Sequence, residues 1–211
     1  YYYLSGRYVY YQGVYEGRRV YNPWSYGTVE ENEEGESYWH VFGDNSSLGD
    51  NKFVPMEWNL KQSGQLNLIW KPTQTTKIKF SHFTDDKDSQ DYERYYKLNP
   101  EGDLLRYNYG KTSILQLNKS MNQNSFFTIG VIRYNKLYKH SVHEDLSDYV
   151  HSDLNNQETP LYSFSTGGAN QERFERNTIS DVLKFDYTNQ INNAHQLKLG
   201  VEYKQHSIDY E

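Results

Sequence analysis

The sequence predicts an all-β chain, an antiparallel meander forming part of a transmembrane β-barrel. Three observations predict it. Polar and apolar residues alternate over long segments, and period two is the mark of a strand with one wet face and one apolar face. The segments are joined alternately by tight turns and by long polar excursions. Aromatic residues reach 17%, whereas all hydrophobic residues, Tyr included, reach only 36%. The apolar material therefore sits in rings suited to an interface more than in an aliphatic core.

In chain order, Tyr1 to Tyr15 is Tyr-rich and β-prone and reads as the first strand. A long loop over residues 16–57 follows, containing the acidic run Glu30-Glu31-Asn32-Glu33-Glu34-Gly35-Glu36. Near residues 58–71, Leu66, Leu68 and Trp70 alternate with Gln65, Asn67 and Ile69. A turn over 71–76 leads into a strand near 75–84, and Asp85-Asp86-Lys87-Asp88 and Asn99-Pro100-Glu101-Gly102 mark a second long loop over 84–105. In the strand near 106–120, Ser113, Leu115 and Leu117 alternate with Thr112, Gln116 and Asn118. Past a turn at 120–124, the strand near 124–140 has two candidate apolar faces, Phe127, Ile129 and Val131 or Phe126, Ile132 and Tyr134. A third long loop, 141–176, holds acidic residues and Gly167-Gly168. In the strand near 177–190, Ile179, Leu183, Phe185 and Tyr187 share a face on which Asp181 is the misfit. A turn at 190–195 leads to the last strand, near 194–210, where Gln196 to Tyr203 alternates without a fault.

If neighbours pair antiparallel, this rhythm puts the short turns at one rim and the long loops at the other, as in an outer-membrane barrel with periplasmic turns and external loops. In hydrocarbon every backbone amide needs an internal partner, which leaves helices and closed barrels as spanning structures. No run approaches the roughly 18 apolar residues of a spanning helix. The strands do reach the about 9–11 residues a tilted barrel strand needs, well beyond the about 5–6 of ordinary globular strands. Rings gather toward strand ends, as with Trp58 and Trp70, Tyr107 and Tyr109, Tyr134 and Tyr138, and Tyr203 and Tyr210, which suits the headgroup zone.

Other classes fall away. There is no Cys, hence no disulfide scaffold and no thiolate zinc site. With 22 Lys+Arg against 28 Asp+Glu, a formal charge of -6, there is no basic footprint for nucleic acid. The sequence contains no G-x-S-x-G elbow, Gly-rich phosphate loop or H-E-x-x-H helix, so neither an enzyme nor a cofactor is predicted. His140, His143 and His151, with Glu144, Asp145 and Asp148, crowd one loop, but spacing in a loop is too unspecific for a metal site to be predicted. The opening Tyr1-Tyr2-Tyr3-Leu4 has neither initiator Met nor signal peptide. The chain is accordingly expected to begin inside a longer gene product.

Three stretches carry a family resemblance. They are Tyr95-Tyr96-Lys97-Leu98-Asn99-Pro100-Glu101-Gly102, the run Tyr162 to Gly168 followed by Phe174-Glu175-Arg176-Asn177-Thr178, and Thr188 to Glu202, a hairpin with its following strand. Over roughly residues 58–210 the chain resembles the C-terminal barrel of TonB-dependent outer-membrane receptors of the Bacteroidota-type, carboxypeptidase-regulatory-like group; residues 1–57 match only in general character. The resemblance implies about seven strands of a larger barrel of about 22 strands around a plug. It also implies energised uptake of a siderophore, vitamin, peptide or glycan across the outer membrane of a Gram-negative bacterium. Implied partners are outer-membrane lipid, the rest of the barrel and plug, the TonB complex acting through a part absent from this sequence, and a surface lipoprotein.

A receptor would contact its ligand through external loops. Trp24, Tyr26, Tyr38 and Trp39 in the first loop and Tyr92, Tyr95 and Tyr96 in the second supply rings, while Arg94, Arg173 and Arg176 supply forks for carboxylate or phosphate. Two alternatives stay open: a soluble β-rich glycan-binding module using the same rings, and a small porin-like outer-membrane channel.

Overall fold

In a computed structural model, residues 1–24, 26–31, 34–35, 37–42, 48–149 and 163–211 are described, the side chains of 26–31 and 37–42 excepted. The chain runs through β1 (Tyr2–Gln12), β2 (Glu16–Arg18), β3 (Tyr26–Glu31), β4 (Ser37–Phe42), β5 (Phe53–Pro55), β6 (Trp58–Thr73), β7 (Thr76–Gln90), β8 (Leu105–Ser120), β9 (Ser125–Ser141), β10 (Phe174–Gln190) and β11 (Gln196–Tyr210). Short 3-10 turns occupy Arg94–Leu98, Pro100–Gly102 and Leu146–Asp148. Among the described residues there is no α-helix, and so none long and apolar enough to cross a membrane.

Seven strands form one antiparallel meander in the order β1-β6-β7-β8-β9-β10-β11. The sheet is open, because β1 and β11 do not pair with each other. The first long connection is not structureless: β2 pairs with β5 and β3 with β4. The second is shorter than its sequence suggests, since β7 continues through Asp85-Asp86-Lys87-Asp88 to Gln90.

The register aligns the strands' apolar positions on one face at a common height. One row runs Leu68, Phe80, Leu115, Val131, Leu183, Tyr203, and the next Trp70, Ile78, Leu117, Ile129, Phe185, Val201. Tyr2 and Leu4 continue the belt onto β1. In β9 the face with Phe127, Ile129 and Val131 joins the belt, while Phe126, Ile132 and Tyr134 lie on the other. No second layer covers the belt among the described residues: Trp70 is 64% exposed, Leu183 51% and Val201 70%. Just above it the face turns polar, with His82 hydrogen-bonded to Ser113 at 2.9 Å and Arg133 3.6 Å from Asp181. Asp181 thus sits at the belt's upper margin, beside a cation.

The opposite face is polar above and below an apolar row of Ile114, Ile132 and Val182, which stand in register on β8, β9 and β10. Ser81 Oγ donates to Asn67 Oδ1 at 2.6 Å, and Asn118 Oδ1 accepts from Thr128 Oγ1 at 2.9 Å and from Gln116 Nε2 at 3.2 Å. Such ladders satisfy side chains in pairs across strands.

Burial is greatest away from the sheet. Met56, Asn99, Pro23, Pro100 and Ser165 are the largest fully enclosed side chains, and all come from the connections at the loop rim.

Candidate functional site

The loop rim is held together by residues far apart in sequence. Asn99, fully buried, donates from Nδ2 to Gly168 O at 2.7 Å and to Ser165 Oγ at 3.2 Å. Ser165 N donates to Tyr95 O at 2.7 Å and Asn170 N to Gly102 O at 2.8 Å. The first connection joins through Val20 N and Tyr21 N, which donate to Leu98 O at 3.1 and 3.0 Å, and through Arg19, which bridges Asp50 and Glu101. The second is anchored to the sheet by Gln90, whose Nε2 donates to Pro100 O at 2.8 Å while its Oε1 accepts from Trp58 Nε1 at 3.0 Å. Tight packing demands glycine at several points, Gly17 and Gly102 among them. A Cβ on Gly17 would stand 2.6 Å from Met56 Sδ and 2.7 Å from Pro100 Cγ, and one on Gly102 would stand 2.7 Å from Gly168 O.

This frame brings several sequence-predicted residues together. Tyr92 stacks on Tyr15 with centroids 4.3 Å apart, Arg94 lies over the Phe164 ring at 5.1 Å, and Tyr95 meets Tyr96 edge-on at 5.1 Å. Burial pushes the Tyr95 and Tyr96 phenols up from their ordinary range. A second group draws on all three regions 24, 143–149 and 173 of the chain: Trp24 lies 5.7 Å from His143, and Arg173 covers the Tyr149 ring at 5.5 Å while donating to Glu144 O at 3.2 Å. Arg176 is placed differently. It sits exposed on the polar face of β10, in register with Tyr138 and Tyr210. Tyr26, Tyr38 and Trp39 lie on the β3–β4 hairpin, with side chains outside the described part, as is His151.

Chemically, the rim offers exposed rings, Trp24 and Tyr15 among them, and half-buried rings, Phe164 and Tyr149, capped by the guanidinium planes of Arg94 and Arg173, groups suited to stacking on a ligand and to holding carboxylate or phosphate. Beneath it lies Asp103, 4% exposed. Burial raises its carboxyl to about 6, Glu93 and Asp91 add to the rise, and the Leu104 amide and Arg106 oppose it. Among the described residues no group of three or more metal-ligating side chains converges. Sequence reasoning missed Tyr15 and Phe164, the ring partners of Tyr92 and Arg94. It also missed the structural pair Asn99 and Ser165, although Asn99 and Ser165 both fall inside the stretches that carry the family resemblance.

Against known proteins, no family model, curated protein or solved structure matches the chain.

Proposed function

We propose that this chain is a wall segment of a TonB-dependent outer-membrane receptor, engaged in energised uptake of a nutrient such as a siderophore, vitamin, peptide or glycan. One observation carries the reading. A single-layered meander holds an uncovered apolar belt at one height on one face, a polar ladder on the other, short turns at one rim and a packed cap of long connections at the opposite rim. A bare apolar band of this extent needs lipid or protein against it, and alternation of belt and polar face is how a barrel separates lipid from lumen. Both outer edges of the sheet leave backbone groups without ladder partners, so the wall requires neighbouring strands. In this reading the belt faces outer-membrane lipid, the polar face looks toward the plug, and the cap meets the ligand outside, where a surface lipoprotein would also dock. The TonB complex acts through the plug, not through this segment, and nucleic acid has no part.

Spin labels at Leu115, Leu183 and Val201, compared with labels at Gln116 and Ser180, test the reading in lipid vesicles. Belt labels should be reached by lipid-soluble oxygen and polar-face labels by a water-soluble relaxation agent. Equal access of both agents to both sets, in a chain that stays monomeric without lipid, would favour a soluble β-rich module and sink the membrane assignment.

A further inference from the structure

Charge is distributed unevenly over the fold. The register places eleven Lys and Arg residues on the polar face: one each on β1, β6, β8 and β9, three on β7 and two each on β10 and β11. Only three carboxylates share that face, Asp85, Asp186 and Glu202, so its formal surplus is eleven less three, or eight. The belt face carries four cations against five carboxylates, and the whole chain is at -6. A basic wall inside an acidic chain is a feature that solvation alone does not require.

The surplus is focused at one place. Lys61 and Lys87 stand directly opposite each other on β6 and β7, an arrangement of like charges that destabilises a ladder unless something offsets it. Asp85 engages Lys61 at 3.3 Å, but among the described residues Lys87 and Lys136 make no ion pair. All three lysines line a hollow of about 280 Å³, walled by Phe83 and Tyr134. Its floor is opened by Gly110, which lies in register between Asp85 and Lys136. A space of this size, with cations reaching in from three strands, suits a compact charged group and is too small for a polypeptide face.

We propose that this hollow binds a compact, multiply charged oxyanion, the phosphate or clustered carboxylates of a small solute. Lys87 and Lys136 supply the charge, Lys61 is shared with Asp85, and the two rings exclude water from one side, which strengthens the contacts. The proposal rests on the sheet's register and not on the membrane reading, so either can fail while the other stands.

The test is titration of the full chain in nonionic detergent micelles with inorganic pyrophosphate, followed by calorimetry, with the strands verified by circular dichroism. Saturable binding that weakens with added salt is expected, with acetate far weaker. Replacing both lysines, Lys87→Gln with Lys136→Gln, should reduce affinity by at least about tenfold, whereas Lys87→Arg with Lys136→Arg should retain it. Lys198→Gln with Lys204→Gln, on the same face outside the hollow, should change affinity by less than about twofold. No binding by the parent chain overturns the proposal. So does an equal loss from both glutamine pairs, or tighter and equally diffuse binding of poly-glutamate, either of which would make the face a general acidic-partner surface.

Discussion

Ile129→Arg is the sharpest probe of the belt. Ile129 has Phe127 and Val131 two residues away on its own strand, and Leu117 and Phe185 in register on either side. Along β9 the nearest polar residues on this face are Ser125 and Arg133, each four residues distant. At about 3.4 Å per residue that is about 14 Å of strand, and about 10 Å of depth for a strand tilted about 45°. An arginine there cannot bring its head fully to either margin, so the expected loss is about 2–4 kcal/mol, the midplane figure for a lipid-facing barrel position. Gln116→Arg is the control, since Gln116 lies one residue away from Leu117 on the polar face, and its cost should stay below about 1 kcal/mol. The assay is reversible denaturant unfolding of both variants in lipid vesicles. Equal, small losses in the two variants would refute the reasoning, because a belt bathed in water accepts a charge freely. A loss at Ile129→Ala above about 2 kcal/mol would refute it from the other side, because that is the signature of a packed core.

Three further predictions concern the cap. Asn99→Ala leaves the Gly168 carbonyl and Ser165 hydroxyl without their buried donor, and should destabilise the cap by about 1–3 kcal/mol, read as faster amide exchange at 163–170 with the strands unchanged. Gly17→Ala drives a methyl into Met56 and Pro100 and should raise proteolytic cleavage within 91–104, again sparing the sheet. The third is pH dependence. The Asp103 carboxyl is raised to about 6 in the folded cap from its ordinary 3.8, so the folded cap binds the proton more tightly. Its contribution is therefore complete below the unfolded value and is lost as pH rises toward about 6, by about 3 kcal/mol in all. Protection factors of the cap amides, which divide out the intrinsic pH dependence of exchange, should rise on acidification across that window, and Asp103→Asn should abolish that rise.

How far the fold was legible follows from what period two can and cannot encode. Apart from the C-terminal end of β7, the strands from Trp58 onward lie within a few residues of their sequence bounds, because each has a long alternating run. The choice of face in β9 was open, since Phe126 and Ile132 compete locally with Phe127 and Val131; only the neighbours Leu117 and Phe185 decide it. The end of β7 was misplaced because Asp85-Asp86-Lys87-Asp88 looks like solvated loop. In the sheet those charges alternate between faces, Asp85 beside Lys61 and Asp86 and Asp88 opposite Tyr109 and Tyr107. The β3–β4 hairpin hides in an acidic stretch for a similar reason. Of the candidate site, residue types were readable but partners were not. Tyr15 and Tyr92, or Asn99 and Gly168, meet across spans of chain that no local pattern links. Arg176 reads as a loop residue but belongs to a strand.

Asn99 stands where the second and third connections cross, and Leu98 beside it receives the first. The rim therefore works as a lintel. A sheet with free hairpins could shear strand past strand, but here a displacement of any one excursion is shared with the other two, and through Gln90 and Trp58 it reaches the posts beneath. Foreign peptides spliced into the turn at Asn192-Asn193 should be absorbed locally, whereas one spliced near Asn99 would loosen the whole crosspiece.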